Sequence, residues 1–94
     1  MNKKQLDILF NSGKKAYGKI LKVVYDTGEG VNVISAPKKR FKRAVDRNKI
    51  KRLIRESVRE VNYSNINCFI IYNISEIKSL EDIKNDLKNI KINV

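Results

Sequence analysis

Apolar residues recur along this chain in helical stripes separated by short strand-like runs. In residues 3–11, Leu6, Leu9 and Phe10 fall at helical spacing beside Ile8, and Gly13 follows where a helix would stop. Residues 19–26, KILKVVYD, are rich in β-branched and aromatic side chains and run into the turn signal Asp26-Thr27-Gly28-Glu29-Gly30. Residues 31–36 repeat the strand pattern, so the two runs predict an antiparallel hairpin. Pro37 lacks a backbone donor and ends the second strand, leaving 38–42 as a loop. From that loop to about Asn62, the residues Ile50, Leu53, Ile54, Val58 and Val61 line one side of a long helix, and Asn-Tyr-Ser-Asn then breaks the pattern. Residues 68–72, CFIIY, are continuously apolar and predict a strand buried on both faces in the middle of a sheet. Ser79, with Asp82 three residues on, caps a last helix whose stripe is Leu80, Ile83, Leu87 and Ile90. The predicted order is α-β-β-α-β-α, an α+β fold in one small α/β sandwich spanning residues 1–94, with no internal repeat and no linker.

Charge changes this picture in one place. Residues 38–59 hold eleven lysines and arginines against Asp46 and Glu56, a segment charge of +9 in a chain whose total is +11. All six arginines lie there: Arg40, Arg43, Arg47, Arg52, Arg55 and Arg59. A guanidinium offers a planar fork that binds phosphate through two hydrogen bonds and stacks on bases, whereas an ammonium is a point charge. At roughly 100° per residue, Asn48, Arg52, Arg55 and Arg59 lie opposite the apolar stripe, with Lys51 on the flank. Arg47 falls near the stripe, in a first turn from which a long side chain can reach past the sheet edge. The bland alternative is a solvated helix face, but such faces normally mix both signs of charge. The sequence pI near 10 asks for a polyanionic partner, nucleic acid first and an anionic membrane surface second.

Composition then removes whole classes of chemistry. There is no histidine, and Cys68 is the only cysteine. A Cys/His zinc site and Ser-His or Cys-His nucleophilic catalysis are therefore excluded. The acids are scattered, and Gly28 and Gly30 suit a turn rather than a phosphate loop, so neither a catalytic residue nor a metal ligand is assigned. Cys68 reads as a buried structural thiol in a reducing compartment. No run approaches the roughly 20 apolar residues of a membrane span. The opening MNKKQLDILF lacks the apolar core of a signal peptide. A cytoplasmic protein is expected.

The run Ala44-Val45-Asp46-Arg47-Asn48-Lys49-Ile50-Lys51-Arg52-Leu53-Ile54-Arg55 closely resembles the signature of the bacterial ribonuclease P protein subunit. That pattern reads A-V-x-R-N-x-x-K-R-x-x-R, and each fixed position is met. Lys3-Lys4, Leu9-Phe10 and Gly13-Lys14 resemble the family's opening helix and turn, and SLEDIKNDLKNI resembles its closing helix. The resemblance implies a ribosomal-protein-like fold in which the basic helix makes a left-handed crossover between neighbouring parallel strands, against the usual right-handed rule. It implies that the helix and the loop before it bind a catalytic RNA, one protein per RNA. A cleft between the sheet and the first helix would take the 5′ leader of precursor tRNA. The RNA, with Mg2+ held mainly by that RNA and the substrate, would cut off the leader to give the mature 5′ end; the protein would be the non-catalytic subunit of this endonuclease. Carried over by position, Arg47, Asn48, Lys51, Arg52 and Arg55 would contact the RNA, with Lys39 and Arg40 as the preceding basic pair. Arg43 and Arg59 join them through the charge pattern. Phe10 matches the aromatic of the leader cleft, its plainer role being core packing. Two positions depart from the family: Lys42 where glycine is frequent, and Leu6 where an aromatic is common. Tyr17 and Tyr25 are further candidates for the sheet face, with the side each occupies left open.

Composition alone also accommodates a structural RNA-binding protein such as a ribosomal component. A DNA-groove binder is disfavoured, because no partner helix precedes the basic one by three or four residues as a helix-turn-helix requires.

Overall fold

The computed structural model describes residues 3–61 and 65–90. The elements are α1 (Lys3–Ser12), β1 (Lys14–Tyr17), β2 (Leu21–Thr27), β3 (Asn32–Ser35), α2 (Ala44–Arg59), β4 (Ile66–Tyr72) and α3 (Leu80–Asn89). The strands form one mixed sheet in the order β1-β2-β4-β3. β2 pairs antiparallel with both β1 and β4, and β3 runs parallel to β4. β3 and β4 are thus neighbouring parallel strands joined through α2, and the architecture is α+β as expected.

Three details differ from the expectation. The order is α-β-β-β-α-β-α, because Lys14–Tyr17 forms an additional edge strand. That strand carries two lysines and no β-branched residue, and its place comes from pairing with β2 rather than from its own propensity. The hairpin expected between the runs at 19–26 and 31–36 does not form, since β4 inserts between β2 and β3. The turn residues are still used as a turn, with Gly30 in the left-handed region at φ 90°. The loop is held from outside: Asn67 Oδ1 accepts from the backbone N–H groups of Glu29 and Val31 at 3.1 and 3.0 Å. Finally, β4 is central but alternates buried and half-buried residues, so it is not sealed on both faces.

The alternation identifies the two faces. Leu21, Val23 and Tyr25 of β2 share a buried face with Ile66, Cys68, Ile70 and Tyr72 of β4, directly across the register. Ile50 and Ile54 of α2 and Ile83 and Leu87 of α3 close this face into one core. Leu53, Val58 and Val61 pack at its margin, so the apolar stripe read from the sequence is the buried side of α2. Ser57 is also buried there, its hydroxyl donating to the Leu53 carbonyl at 2.8 Å, one turn back. The helix stops at Arg59; Asn62, where its end was expected, lies outside the described residues. α3 begins as predicted, with the Ser79 hydroxyl accepting from the Asp82 amide at 3.2 Å.

Asp86 of α3 has a separate task. Its carboxylate accepts from the consecutive amides of Lys19, Ile20 and Leu21 at 2.7, 3.1 and 2.9 Å, fixing the turn between β1 and β2. Gly18 is required beside it, because a Cβ at that position would run into the Asp86 carboxylate. At the far end of α2, Glu60 lies 2.7 Å from Lys84 and 3.8 Å from Lys88, tying α2 to α3.

Candidate nucleic-acid interface

The outward side of α2 carries the residues that the helical wheel placed there. Asn48, Arg52, Arg55 and Arg59 are exposed, and Lys51 is half-buried on the flank. Val45, 67 % exposed, stands among them as an apolar residue on a basic face. Among the described residues, Arg52, Arg55 and Arg59 make no ion pair with a carboxylate. Their guanidinium groups are therefore available to a partner. The N-cap residue Arg43 makes no side-chain capping hydrogen bond, so the positive end of the α2 dipole adds to the field around it, while Asp46 in the first turn partly opposes it. Arg43 itself is exposed and only 4.0 Å from Asp46, a contact worth little in water.

The loop before α2 is built rather than merely present. Phe41 is buried, with its ring edge-on to Tyr72 at 5.6 Å. The Pro37 carbonyl accepts from the amides of Arg40 and Phe41, both at 3.1 Å. Anchoring Phe41 leaves Lys38, Lys39, Arg40 and Lys42 exposed. Arg40 Nη1 reaches Ser75 Oγ at 3.3 Å on the β4–α3 connection. That connection is organised by Tyr72, whose hydroxyl donates to the Glu76 carbonyl at 2.6 Å and accepts from the Lys78 amide at 2.9 Å. Burial pushes the Tyr72 phenol above its ordinary pKa. Lys42 needs no unusual backbone, since no non-glycine residue described has positive φ. Arg47 differs from the other arginines: half-buried, it donates from Nη1 to the carbonyls of Phe41 and Lys42, each at 2.8 Å.

The second surface is the sheet face opposite the core, on which α1 lies. Leu9 and Val24 are buried there, outside the main core. Phe10, 39 % exposed, packs its ring against Phe69 with centroids 4.8 Å apart. Phe69 was absorbed into the apolar run CFIIY when read from sequence, yet it supplies the second ring that Leu6 does not. Tyr17, 64 % exposed, lies on the same face with the Lys22 ammonium 5.5 Å from its ring centre. Tyr25 is on the opposite, buried face. A cleft of about 150 Å³ opens between α1 and the sheet, lined by Gln5, Ile8, Leu9, Asp26, Thr27 and Asn67.

Cys68 is buried in the core, and burial pushes its thiol up to about 12, so it stays protonated and inert. Among the described residues, no three His, Cys, Asp or Glu side chains are grouped so as to hold a metal ion, and no helix is long and apolar enough to cross a membrane. The sequence missed Phe41, Phe69 and Asp86; the only signal for the two phenylalanines was an aromatic ring in a basic or apolar run.

The family model described as Ribonuclease P matches residues 2–91. The chain is 41% identical over 61 residues to the "Ribonuclease P protein component" of Porphyromonas gingivalis strain W83, and 39% identical to that of strain ATCC 33277. Each match covers 58% of this chain and 44% of the relative, so the chain matches less than half the length of these relatives. The fold is similar to that of the Staphylococcus aureus RNase P protein, with a TM-score of 0.79 at 23% identity, covering 96% of this chain and 88% of that one. It is equally similar to the RNase P protein from Thermotoga maritima, with a TM-score of 0.80 at 21% identity, covering 92% and 90%. With nearly the whole chain matched by the family model, and with the basic helix, its loop and the open sheet face all present, this protein belongs to the ribonuclease P protein family.

Proposed function

We propose that this chain acts as the protein subunit of ribonuclease P, binding a catalytic RNA and the 5′ leader of precursor tRNA during Mg2+-dependent removal of that leader in the cytoplasm. The observation that carries this reading is the exposed arginine face of α2, without carboxylate partners among the described residues and continuous with a basic loop that the core holds in place. Lys51, Arg52, Arg55 and Arg59 on the helix, with Lys39, Arg40 and Arg43 before it, neutralise phosphates of the folded RNA and release counterions, and Asn48 adds a neutral hydrogen-bonding group. The open sheet face takes the single-stranded leader: bases pack against the accessible parts of Phe10 and Phe69 and stack on Tyr17, while Lys15 and Lys22 meet its phosphates. The chain's own part is to bind and orient. The Mg2+ belongs to the RNA and the substrate.

The test is reconstitution with a bacterial ribonuclease P RNA at low magnesium, with leader cleavage and precursor-tRNA affinity as readouts. A gain in both is expected, with one protein bound per RNA; no gain in either rejects the reading. Preferential capture of ribosomal RNA would favour a structural RNA-binding role instead. Arg52→Ala and Arg55→Ala should each reduce the log–log salt slope of RNA binding by about one unit, with an unchanged melting temperature.

A further inference from the structure

We infer that Arg47 is a positioning residue: it shapes the basic loop at 38–42 from within, rather than serving as one more phosphate contact. The functional consequence rests on the RNA-binding reading above; the geometry does not. Arg47 sits in the first turn of α2, on the side of the wheel nearest the buried stripe and away from Arg52 and Arg55. Its Nη1 lies 2.8 Å from both the Phe41 and the Lys42 carbonyls, so the two hydrogens of that nitrogen are both used. The end-on fork is thereby taken up, and only the side-on pair, Nε and Nη2, is left for a phosphate. What the chain gains is a charge-assisted clasp between the helix and the loop that precedes it.

The clasp closes a small circuit. Phe41 is fixed through its ring against Tyr72 and through its carbonyl by Arg47, and its amide returns to the Pro37 carbonyl. Lys39 and Arg40 lie inside this circuit, so their direction depends on it. A short loop of this kind is otherwise free to open into other shapes, at an entropic cost on binding. Arg47 meets that cost within the free protein, and Lys39 and Arg40 then approach the polyanion already oriented.

The first experiment needs no RNA. Hydrogen exchange at the Arg40 and Phe41 amides reports whether the loop stays closed. In Arg47→Ala these two amides should exchange about tenfold faster, as expected for losing charge-assisted bonds, while the Ile70 amide in β4 still exchanges far more slowly than either, as in an intact fold. Arg47→Met, which keeps the apolar stem, serves if the alanine variant unfolds. The second experiment is a double-mutant cycle in affinity for a bacterial ribonuclease P RNA. Arg47→Ala and the pair Lys39→Ala/Arg40→Ala should together cost clearly less than the product of their separate effects, because both disable the same loop. Unchanged exchange at Arg40 and Phe41 overturns the inference. So do fully multiplicative penalties accompanied by the one-unit loss of salt slope that a phosphate contact gives. Should the wild-type protein show no preference for that RNA, the proposed function fails, while the exchange measurement still decides what Arg47 does.

Discussion

The two faces of the sheet are built from the same strands and have opposite fates. On one, Leu21, Val23, Ile70 and Tyr72 meet two helices and are sealed from solvent. On the other, the alternate positions Lys22, Phe69 and Ile71 meet at most the single helix α1 and stay half-buried. Apart from Val24, buried beside Leu9 on the second face, a period of two along β2 and β4 separates stability from recognition. Substitutions on the sealed face should act through folding, and substitutions on the open face through binding.

The largest effect should come from the sealed side. Ile54→Ala is expected to cost about 2–5 kcal/mol in thermal or denaturant unfolding; a cost below 1 kcal/mol would mean that α2 is not the lid of this core. Next comes Asp86→Ala, which leaves three backbone amides without their acceptor and should cost about 1.5–3 kcal/mol. Gly18→Ala should act in the same direction by displacing that carboxylate. On the open face, Phe69→Ala should weaken binding of a single-stranded leader by about 1–3 kcal/mol, with a smaller loss of stability than Ile54→Ala. The reverse ranking would merge the two faces into one function. The smallest effect concerns pH. The hydrogen bond and charge of Lys84, with help from Lys88, hold the Glu60 carboxyl below its ordinary range. A depressed carboxylate stabilises the fold above its unfolded pKa, about 4.3, and that stabilisation vanishes as pH falls through the folded value. The melting-temperature gap between wild type and Glu60→Gln should therefore be present at pH 6 and close at more acid pH.

Much of this was legible from the chain itself. The two sides of α2 could be read because helical periodicity is a local property: Ile50 and Ile54 point inward and Arg52 and Arg55 outward, as their spacing requires. Strand pairing is not local. Nothing within residues 19–36 says that β4, arriving some thirty residues later, will lie between the two strands. β1 was missed for the same reason, since Lys14–Tyr17 has strand character only as a partner of β2. The open face suffered most. Phe69 lies in a run whose apolarity hides the alternation, and only the register across β2 shows which side each residue takes. The departure at Lys42 proved harmless to the backbone, because the loop is held by Phe41 and Arg47 and uses no left-handed residue.

The Asp86 carboxylate lies 65–67 residues downstream of the three amides it binds. A ribosome adding roughly 5–20 residues per second therefore leaves that turn open for several seconds after making it. During that interval β2 also lacks β4, its central neighbour, and the nascent chain presents a basic helix before it owns a finished sheet. Helix α3, made after both α2 and β4, is thus the one that locks the β1–β2 hairpin, and a chain released before residue 86 would carry its arginines on an unlatched scaffold.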